Sequence, residues 1–149
     1  MRITPPRRCL LAAISLVLGV IVLRPLIAEA LCMRGDEFLR SGEPLTAEHY
    51  YRLAIASYPD CRTAAERVIF ASLEIRTRAI LAIGIRVADA YLSRHDDTAI
   101  RIDRALALWA TKDLTRAAKE LSLIGAITHD RRLTRLSQIA MVRAKGIRR

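Results

Sequence analysis

The most restrictive feature of this 149-residue chain is an uninterrupted apolar run near its start. The run CLLAAISLVLGVIVL extends from Cys9 to Leu23 and contains no charged residue. As a helix it covers about 22 Å, short of the roughly 30 Å hydrocarbon core of a bilayer, although Arg24 can snorkel and residues 25–28 can lengthen the span. The run therefore predicts a segment that enters a membrane or directs export.

Two interpretations of this run stay open. Residues 9–30 are either an uncleaved transmembrane signal anchor behind a basic flank at residues 1–8, or a cleaved signal peptide, because Ala28-Glu29-Ala30 matches the A-x-A pattern of a cleavage site. A buried core helix is a third alternative. Arginines ahead of the run favour an N-terminus kept inside, so both leading interpretations place residues 31–149 on the extracytoplasmic side. We expect a single-pass membrane protein or, after cleavage, a secreted or periplasmic one.

The formal charge of +10 is concentrated at the two ends of the chain. Residues 1–30 carry +3, residues 31–130 hold 14 basic and 14 acidic side chains, and residues 131–149 carry +7 with no acid. The basic tail consists of Arg131, Arg132, Arg135, Arg143, Lys145, Arg148 and Arg149. A neutral body has no stripe of cations to follow phosphates, which argues against nucleic acid as the partner. The tail is suited to anionic lipid, to an acidic partner, or simply to solvating the end of the fold.

Large, small and aromatic residues recur at defined positions in residues 30–61, ALCMRGDEFLRSGEPLTAEHYYRLAIASYPDC. The positions are Leu31, Gly35, Phe38, Ala47, Tyr51, Ala54 and Pro59. This pattern resembles a tetratricopeptide repeat (TPR), a pair of antiparallel helices of roughly 34 residues. Only Arg34, where the family usually has Leu, departs from it. The resemblance implies that the small residues let the two helices approach closely, that the large ones fill their shared seam, and that the proline ends the second helix.

One repeat cannot bury its own apolar face, so the rest of the chain should supply stacking helices. Residues 62–94 have helical periodicity and predict an atypical helix pair, or one long helix that bends near Arg78 or Gly84. A further hairpin is expected around the turn at residues 111–113, followed by a basic cap helix. In that helix Leu133, Leu136, Ile139, Ala140 and Val142 should be buried, with Arg132, Arg135 and Arg143 on the opposite side.

No segment sustains the period-two alternation of a strand, so the predicted class is all-α. The predicted architecture is a short solenoid of antiparallel, TPR-like helical hairpins in residues 31–149, preceded by one transmembrane or signal helix. Asp96-Asp97 is expected to start a helix before Thr98, and Trp109 to lie in the core.

The sequence contains no motif of a known chemistry: no phosphate-binding glycine loop, no zinc-protease helix and no nucleophile elbow. We therefore expect no catalytic residue, no cofactor and no metal. His49, His95 and His129 are too far apart in sequence to form a local site. In a helical hairpin the start of the first helix lies beside the end of the second, so Cys32 and Cys61 are candidates for a disulfide, with two free thiols as the alternative.

The resemblance implies a non-catalytic scaffold, held in the membrane by its first helix, that binds a protein or peptide in a helical groove. The first alternative is a secreted or periplasmic helical accessory protein of an enzyme or transport complex. A basic nucleic-acid-binding protein is the weaker alternative.

Overall fold

The structure is a computed structural model that describes the backbone of residues 5–147 and the side chains of residues 19–146. In this part of the chain every regular element is a helix, which confirms the predicted all-α class. The helices are α1 (Pro5–Arg40), α2 (Pro44–Ser57), α3 (Arg62–Ile75), α4 (Arg78–Leu92), α5 (Thr98–Ala110), α6 (Leu114–Thr128) and α7 (Arg131–Ile147).

The short connections between helices follow from local residue chemistry. Between α1 and α2, Gly42 adopts a φ of +81°, which glycine tolerates, and Pro44 begins α2. Asp97 caps α5 by accepting hydrogen bonds from the backbone N–H groups of Ala99 and Ile100 at 2.9 and 3.2 Å. The predicted helix start at Thr98 and the turn at residues 111–113 are both confirmed.

The middle of the chain is two helices, which confirms the predicted helix pair. The alternative of one long helix is wrong, since the chain breaks at residues 76–77, next to Arg78, and does not bend at Gly84. Helix α3 ends at Ile75, Arg76 adopts the left-handed conformation, and the Thr77 side chain caps α4. Gly84 lies inside α4, where an added Cβ would overlap the Ser72 hydroxyl of α3. This glycine therefore serves close packing of two helices, and the break falls where an ordinary arginine takes the turn conformation.

Consecutive helices pack against each other, and α3 also contacts both α1 and α5. One core cluster joins α1, α2 and α3 around the fully buried Tyr51. The other joins α3 to α6 around Ile69, Ile100 and Leu108. The odd-numbered helices α1, α3 and α5 thus form a contiguous row, with α7 added at its end.

The buried side of α7 matches the predicted one at Ala140 and in part at Leu133, and differs from it at the other three positions. Leu136, Ile139 and Val142 are exposed, whereas the α6-facing side consists of Ser137 and Ala140, with Leu133 half-buried. The Ser137 hydroxyl donates to the carbonyl oxygen of Ala118 at 2.9 Å. Small side chains let α7 lie close to α6, and a closely packed small face turns the larger residues of a two-sided helix outward.

The first part of α1 extends beyond the packed body. Packing against other helices begins at the fully buried Ala28, while large side chains before it are exposed on all sides of the helix: Val20, Ile21, Val22, Leu23, Leu26 and Ile27. Among the residues that the structure describes, no helix is both long enough and apolar enough to cross a membrane. The side chains of the apolar run from Cys9 to Leu18 lie outside the described residues.

Candidate partner-binding groove

A groove of about 790 Å³ opens between α3, α5 and α7, and we call it the α3–α5–α7 groove. Its walls are formed by one face of α3, one face of α5 and one residue of α7, over a floor of buried leucines from α4 and α6. The lining side chains are Phe70, Leu73, Glu74, Arg76, Leu81, Asp103, Leu106, Trp109, Ala110, Leu121 and Leu136. The groove therefore combines a mostly apolar lining with a few charges, the usual composition of a binding cleft.

Three large apolar side chains in this groove are turned toward solvent. Phe70 of α3 and Leu106 of α5 are each 45% exposed, and Leu136 of α7 is 40% exposed. Phe70 lies beside the fully buried Ile69, so α3 presents one large apolar side chain to the core and the next to the groove. A cluster of exposed apolar groups bordered by charges is typical of an interaction surface.

Asp103 supplies a carboxylate in the middle of the groove wall. Burial, together with the negative charges of Glu66 and Asp97, raises the pKa of Asp103, and Arg62 only partly opposes this effect. Arg62 is already engaged, because it contacts Asp97 at 2.6 Å and Glu66 at 3.6 Å. Asp103 therefore carries a charge that nothing among these neighbours balances.

Trp109 lies half-buried at the α7 side of the groove, packed against the core cluster. The guanidinium of Arg143 lies 5.8 Å from the centre of the indole ring, within the range of a cation–π contact. The indole was predicted as core, and it is both a core contact and a groove wall. Since it is the only tryptophan of the chain, tryptophan fluorescence comes from this one position at the groove wall.

The residues of the TPR-like pattern lie away from this groove, mostly in the seam between α1 and α2. Ala47, Tyr51 and Ala54 are fully buried, and Leu31 and Phe38 are half-buried against the same cluster. An added Cβ on Gly35 would overlap the Tyr51 ring, so the glycine makes room for the aromatic side chain. Pro59 lies in the α2–α3 connection, where its carbonyl oxygen accepts a hydrogen bond from Arg94 at 2.9 Å.

A polar contact closes the seam on the α3 side. The Tyr51 hydroxyl donates to Asp36 at 2.7 Å, and Arg67 of α3 contacts the same carboxylate oxygen at 3.2 Å. Burial and the hydrogen bond to Asp36 raise the pKa of Tyr51. These three side chains tie α1, α2 and α3 together.

The structure brings Cys32 of α1 next to Cys61, which precedes α3, and both are free thiols. Burial raises the pKa of the Cys32 thiol to about 12, with a further contribution from the neighbouring Cys61. The two residues are therefore adjacent, as the hairpin geometry predicts, in the reduced form. Whether they are joined in the cell stays a prediction.

The histidines are separate from one another and from the groove. His95 lies 3.1 Å from Asp60 through Nε2 and packs on the Tyr91 ring at 4.5 Å, whereas His49 is an exposed residue of α2 and His129 ends α6. Within the described side chains no group of three or more His, Cys, Asp or Glu is close enough to hold a metal ion.

The basic tail lies largely on α7, where Arg131, Arg132, Arg135, Arg143 and Lys145 are exposed. Arg148 and Arg149 lie outside the described residues. No acidic residue lies on this helix, so every charge on its outer surface is positive, and exposed apolar side chains such as Ile139 and Val142 lie among these charges.

The sequence analysis missed Phe70, Leu106 and Asp103. A signal for the first two was present: each is a large apolar residue that falls outside the buried row of its helix, which runs through Val68 and Ala71 in α3 and through Ala105 and Leu108 in α5. Only the packing of α3 against α5 shows that these two residues share a groove with a carboxylate. Searches against family models, curated proteins and solved structures gave no match to this chain.

Proposed function

We propose that this chain is a non-catalytic helical scaffold that binds a segment of a protein partner in the α3–α5–α7 groove, and that its N-terminal apolar run tethers it to a membrane. The work of such a protein is binding alone. The resemblance of residues 30–61 to a tetratricopeptide repeat supports this reading, because stacked helical hairpins commonly hold peptides in the groove they form.

The observation that carries the groove proposal is the exposure of Phe70, Leu106 and Leu136 side by side. Full burial of a large apolar side chain is worth about 1.5 to 3 kcal/mol, and these side chains, each less than half exposed, forgo only part of it. A partner that covers these side chains recovers part of that free energy, and the charged residues around them fix its orientation. The preference for a peptide or helix follows from the elongated lining along two neighbouring helices.

The tether proposal is supported by the first part of α1. Between residues 20 and 27 the helix exposes apolar side chains on every side, with no helix packed against them. An exposed surface of this kind favours an apolar environment. In this interpretation the body lies on the extracytoplasmic side, and the basic outer surface of α7 is available to anionic lipid or to an acidic partner.

The groove is tested by selecting binders to the purified full-length chain, in mild detergent, from a random dodecapeptide display library. Selected peptides should change the fluorescence of Trp109 and should contain large apolar residues. Leu106→Ser should weaken their binding about tenfold, since it removes one exposed contact without opening the core. The matched control is Leu123→Ser on α6, because Leu123 is 47% exposed and does not line the groove.

Equal loss of binding in both variants, or peptides that leave Trp109 fluorescence unchanged, would contradict a site in this groove. The tether is tested separately by membrane fractionation and protease accessibility of the full-length chain. A protein retained in the membrane with its body accessible from the extracytoplasmic side supports the anchor. A body released by cleavage after Ala30 supports the alternative of a secreted or periplasmic accessory protein, and a cytosolic body would overturn both.

A further inference from the structure

We infer that the α3–α5–α7 groove selects a partner segment that carries a lysine or arginine beside its apolar residues, with the cation seated at Asp103. This inference rests on the proposed function, since it names the chemistry of the segment that the groove would bind. It is carried by the placement of Asp103 between apolar contacts and by the balance of charge around it.

Asp103 lies between two exposed apolar side chains of neighbouring helices. On α5, Leu106 follows Asp103 by three residues, which places both on the same face about one turn apart. On α3, Phe70 and Glu74 are four residues apart, so they also share a face, and all four side chains line the groove. A segment lying over Phe70 and Leu106 therefore passes directly by the Asp103 carboxylate.

The charges around this point are mostly negative. The carboxylates of Glu66, Asp97 and Asp103 are grouped around a single guanidinium, that of Arg62, whose two contacts at 2.6 and 3.6 Å go to Asp97 and Glu66. Glu74 and Arg76 both line the groove, but they form no ion pair with each other. The Arg76 Nε instead donates to the carbonyl oxygen of Leu73 at 3.3 Å.

Asp103 and Glu74 take part in none of the ion pairs and side-chain hydrogen bonds among the described residues. Burial is the main cause of the raised pKa of Asp103, and the negative charges of Glu66 and Asp97 add to it while Arg62 opposes them. A cation from outside would relieve this repulsion and would also gain a partly buried carboxylate as its partner.

The apolar neighbours decide what kind of cation fits. A free metal or ammonium ion at Asp103 would leave the apolar surface of Phe70 and Leu106 exposed to water. A lysine or arginine side chain places its methylene stem against such groups while its charged end reaches the carboxylate. The segment expected in the groove is therefore apolar with one basic residue, and a purely apolar segment should bind more weakly.

The test uses the dodecapeptides selected on the full-length chain, compared with a selection on the Asp103→Asn variant. Peptides selected on the unmodified chain should be enriched in Lys or Arg at one position relative to their apolar residues. On Asp103→Asn, which keeps the size of the side chain and removes its charge, that enrichment should disappear while the apolar residues persist.

A double-mutant cycle then measures the contact directly. One selected peptide is made with its basic residue and with norleucine in its place, and both are titrated against the unmodified chain, Asp103→Asn and the control Asp96→Asn, using Trp109 fluorescence. Asp96 is a suitable control because its side chain is 84% exposed, pairs with Arg101 and does not line the groove.

Asp103→Asn should weaken the affinity for the basic peptide about fivefold to tenfold and change the affinity for the norleucine peptide by less than about twofold. The effects of the two substitutions are then coupled. Asp96→Asn should show no coupling. Selected peptides that are apolar without enrichment of Lys or Arg, or a cycle with no coupling at Asp103, would overturn this inference while leaving the groove proposal standing. Failure to select any groove-binding peptide would overturn the proposed function and this inference with it.

Discussion

The α1–α2 seam and the α3–α5–α7 groove each contain an aromatic ring and a carboxylate, but the ring is buried and the carboxylate paired in the seam, whereas in the groove the ring is partly exposed and the carboxylate unpaired. In the seam, the ring of Tyr51 is fully buried against Gly35, and its hydroxyl is hydrogen-bonded to Asp36. In the groove, the ring of Phe70 is 45% exposed and faces a carboxylate that no neighbour neutralises. The seam is satisfied within the chain, whereas the groove has both apolar surface and charge left over.

This difference indicates that the seam contributes to the stability of the fold, whereas the groove remains available for binding. A closed seam stabilises the helical stack because apolar burial and a hydrogen bond act together there. An open groove adds little to folding, and its residues are free to be chosen for a partner. Substitutions of matched residues in the two regions should therefore separate stability from binding.

The largest expected contrast is between two aromatic truncations. Tyr51→Ala should lower the free energy of unfolding by about 3 to 5 kcal/mol, because it empties a fully buried position. Phe70→Ala should cost less than about 1 kcal/mol, since nearly half of that side chain already contacts solvent. Thermal and urea unfolding of the full-length chain, followed by far-UV circular dichroism, measures both. Equal losses would mean that Phe70 belongs to the core and that the groove is not open.

The second contrast concerns the cysteines beside the seam. Oxidation of Cys32 and Cys61 by oxidised glutathione would form one S–S bond between them and break the S–S bond of glutathione, which takes up the two thiol hydrogens and leaves as two thiols. The bond should stabilise the fold by about 3 kcal/mol, because it closes a loop of the unfolded chain. Mass spectrometry under non-reducing conditions should show the loss of two hydrogen atoms. The free energy of unfolding should rise by about 3 kcal/mol.

This oxidation should be slow at neutral pH and faster as the pH rises. With its pKa raised to about 12, the Cys32 thiol is almost wholly protonated near pH 7. Its attack as a thiolate on the mixed disulfide of Cys61 with glutathione, which closes the bond, is therefore the step that a higher pH accelerates. The Cys61→Ala variant is the control: treatment with oxidised glutathione should not change its free energy of unfolding. If the unmodified chain stays fully reduced in protein isolated from an oxidising compartment, the disulfide is excluded.

A smaller effect is expected from closing the space beside Tyr51. Gly35→Ala should lower the free energy of unfolding by about 1 to 2 kcal/mol, because the new methyl group overlaps the ring, and the gain in helix propensity only partly offsets the overlap. The control in the same helix is Gly19→Ala, where no heavy atom lies within 4 Å of an added Cβ. That variant should be neutral or more stable by up to about 1 kcal/mol. A stable Gly35→Ala chain would show that the seam can widen without loss.

The seam and the groove also differ in how far the sequence predicted them. The resemblance of residues 30–61 to a tetratricopeptide repeat implied that Gly35 and Tyr51 share one helix seam, and the structure has them in contact. Asp97 was likewise readable, because an aspartate ahead of a helix caps it. These are local or short-range relations, and local chemistry decides them.

The predictions that were wrong depend on which of two available faces a helix buries. In α7 the spacing of Leu136 and Ile139 suits a core-facing side, but the structure packs Ser137 and Ala140 against α6 because small residues allow a closer contact. The break between α3 and α4 lies next to Arg78, one of the two predicted positions, but the left-handed conformation of Arg76 was not predicted, since an arginine does not indicate it. The groove itself arises from helices far apart in sequence, and no local pattern announces it.

The smallest expected effect is that of Asp103→Asn on the free energy of unfolding, and its sign shows whether Asp103 is a binding residue or a structural one. Asp103 has a raised pKa, so its negative charge is unfavourable to the folded chain. The stability associated with its protonated form is present below the unfolded pKa of about 3.9 and is lost as the pH rises through the higher folded value. At pH 7, Asp103→Asn should therefore stabilise the fold, by a few tenths to about 1 kcal/mol, and this advantage should vanish in acid.

Asp97, six residues earlier, provides the opposite sign in the same environment. Its hydrogen bond with Arg62 and those from the backbone of Ile100 and Ala99 lower its pKa although burial opposes them, so Asp97→Asn should destabilise the fold at pH 7 and cost less as the carboxyl is protonated in acid. Unfolding of both variants between pH 3 and pH 7 measures the pair. If Asp103→Asn is the more destabilising of the two, its carboxylate is a structural contact. If it is stabilising and weakens a basic peptide, the chain retains an unfavourable charge because the groove uses it.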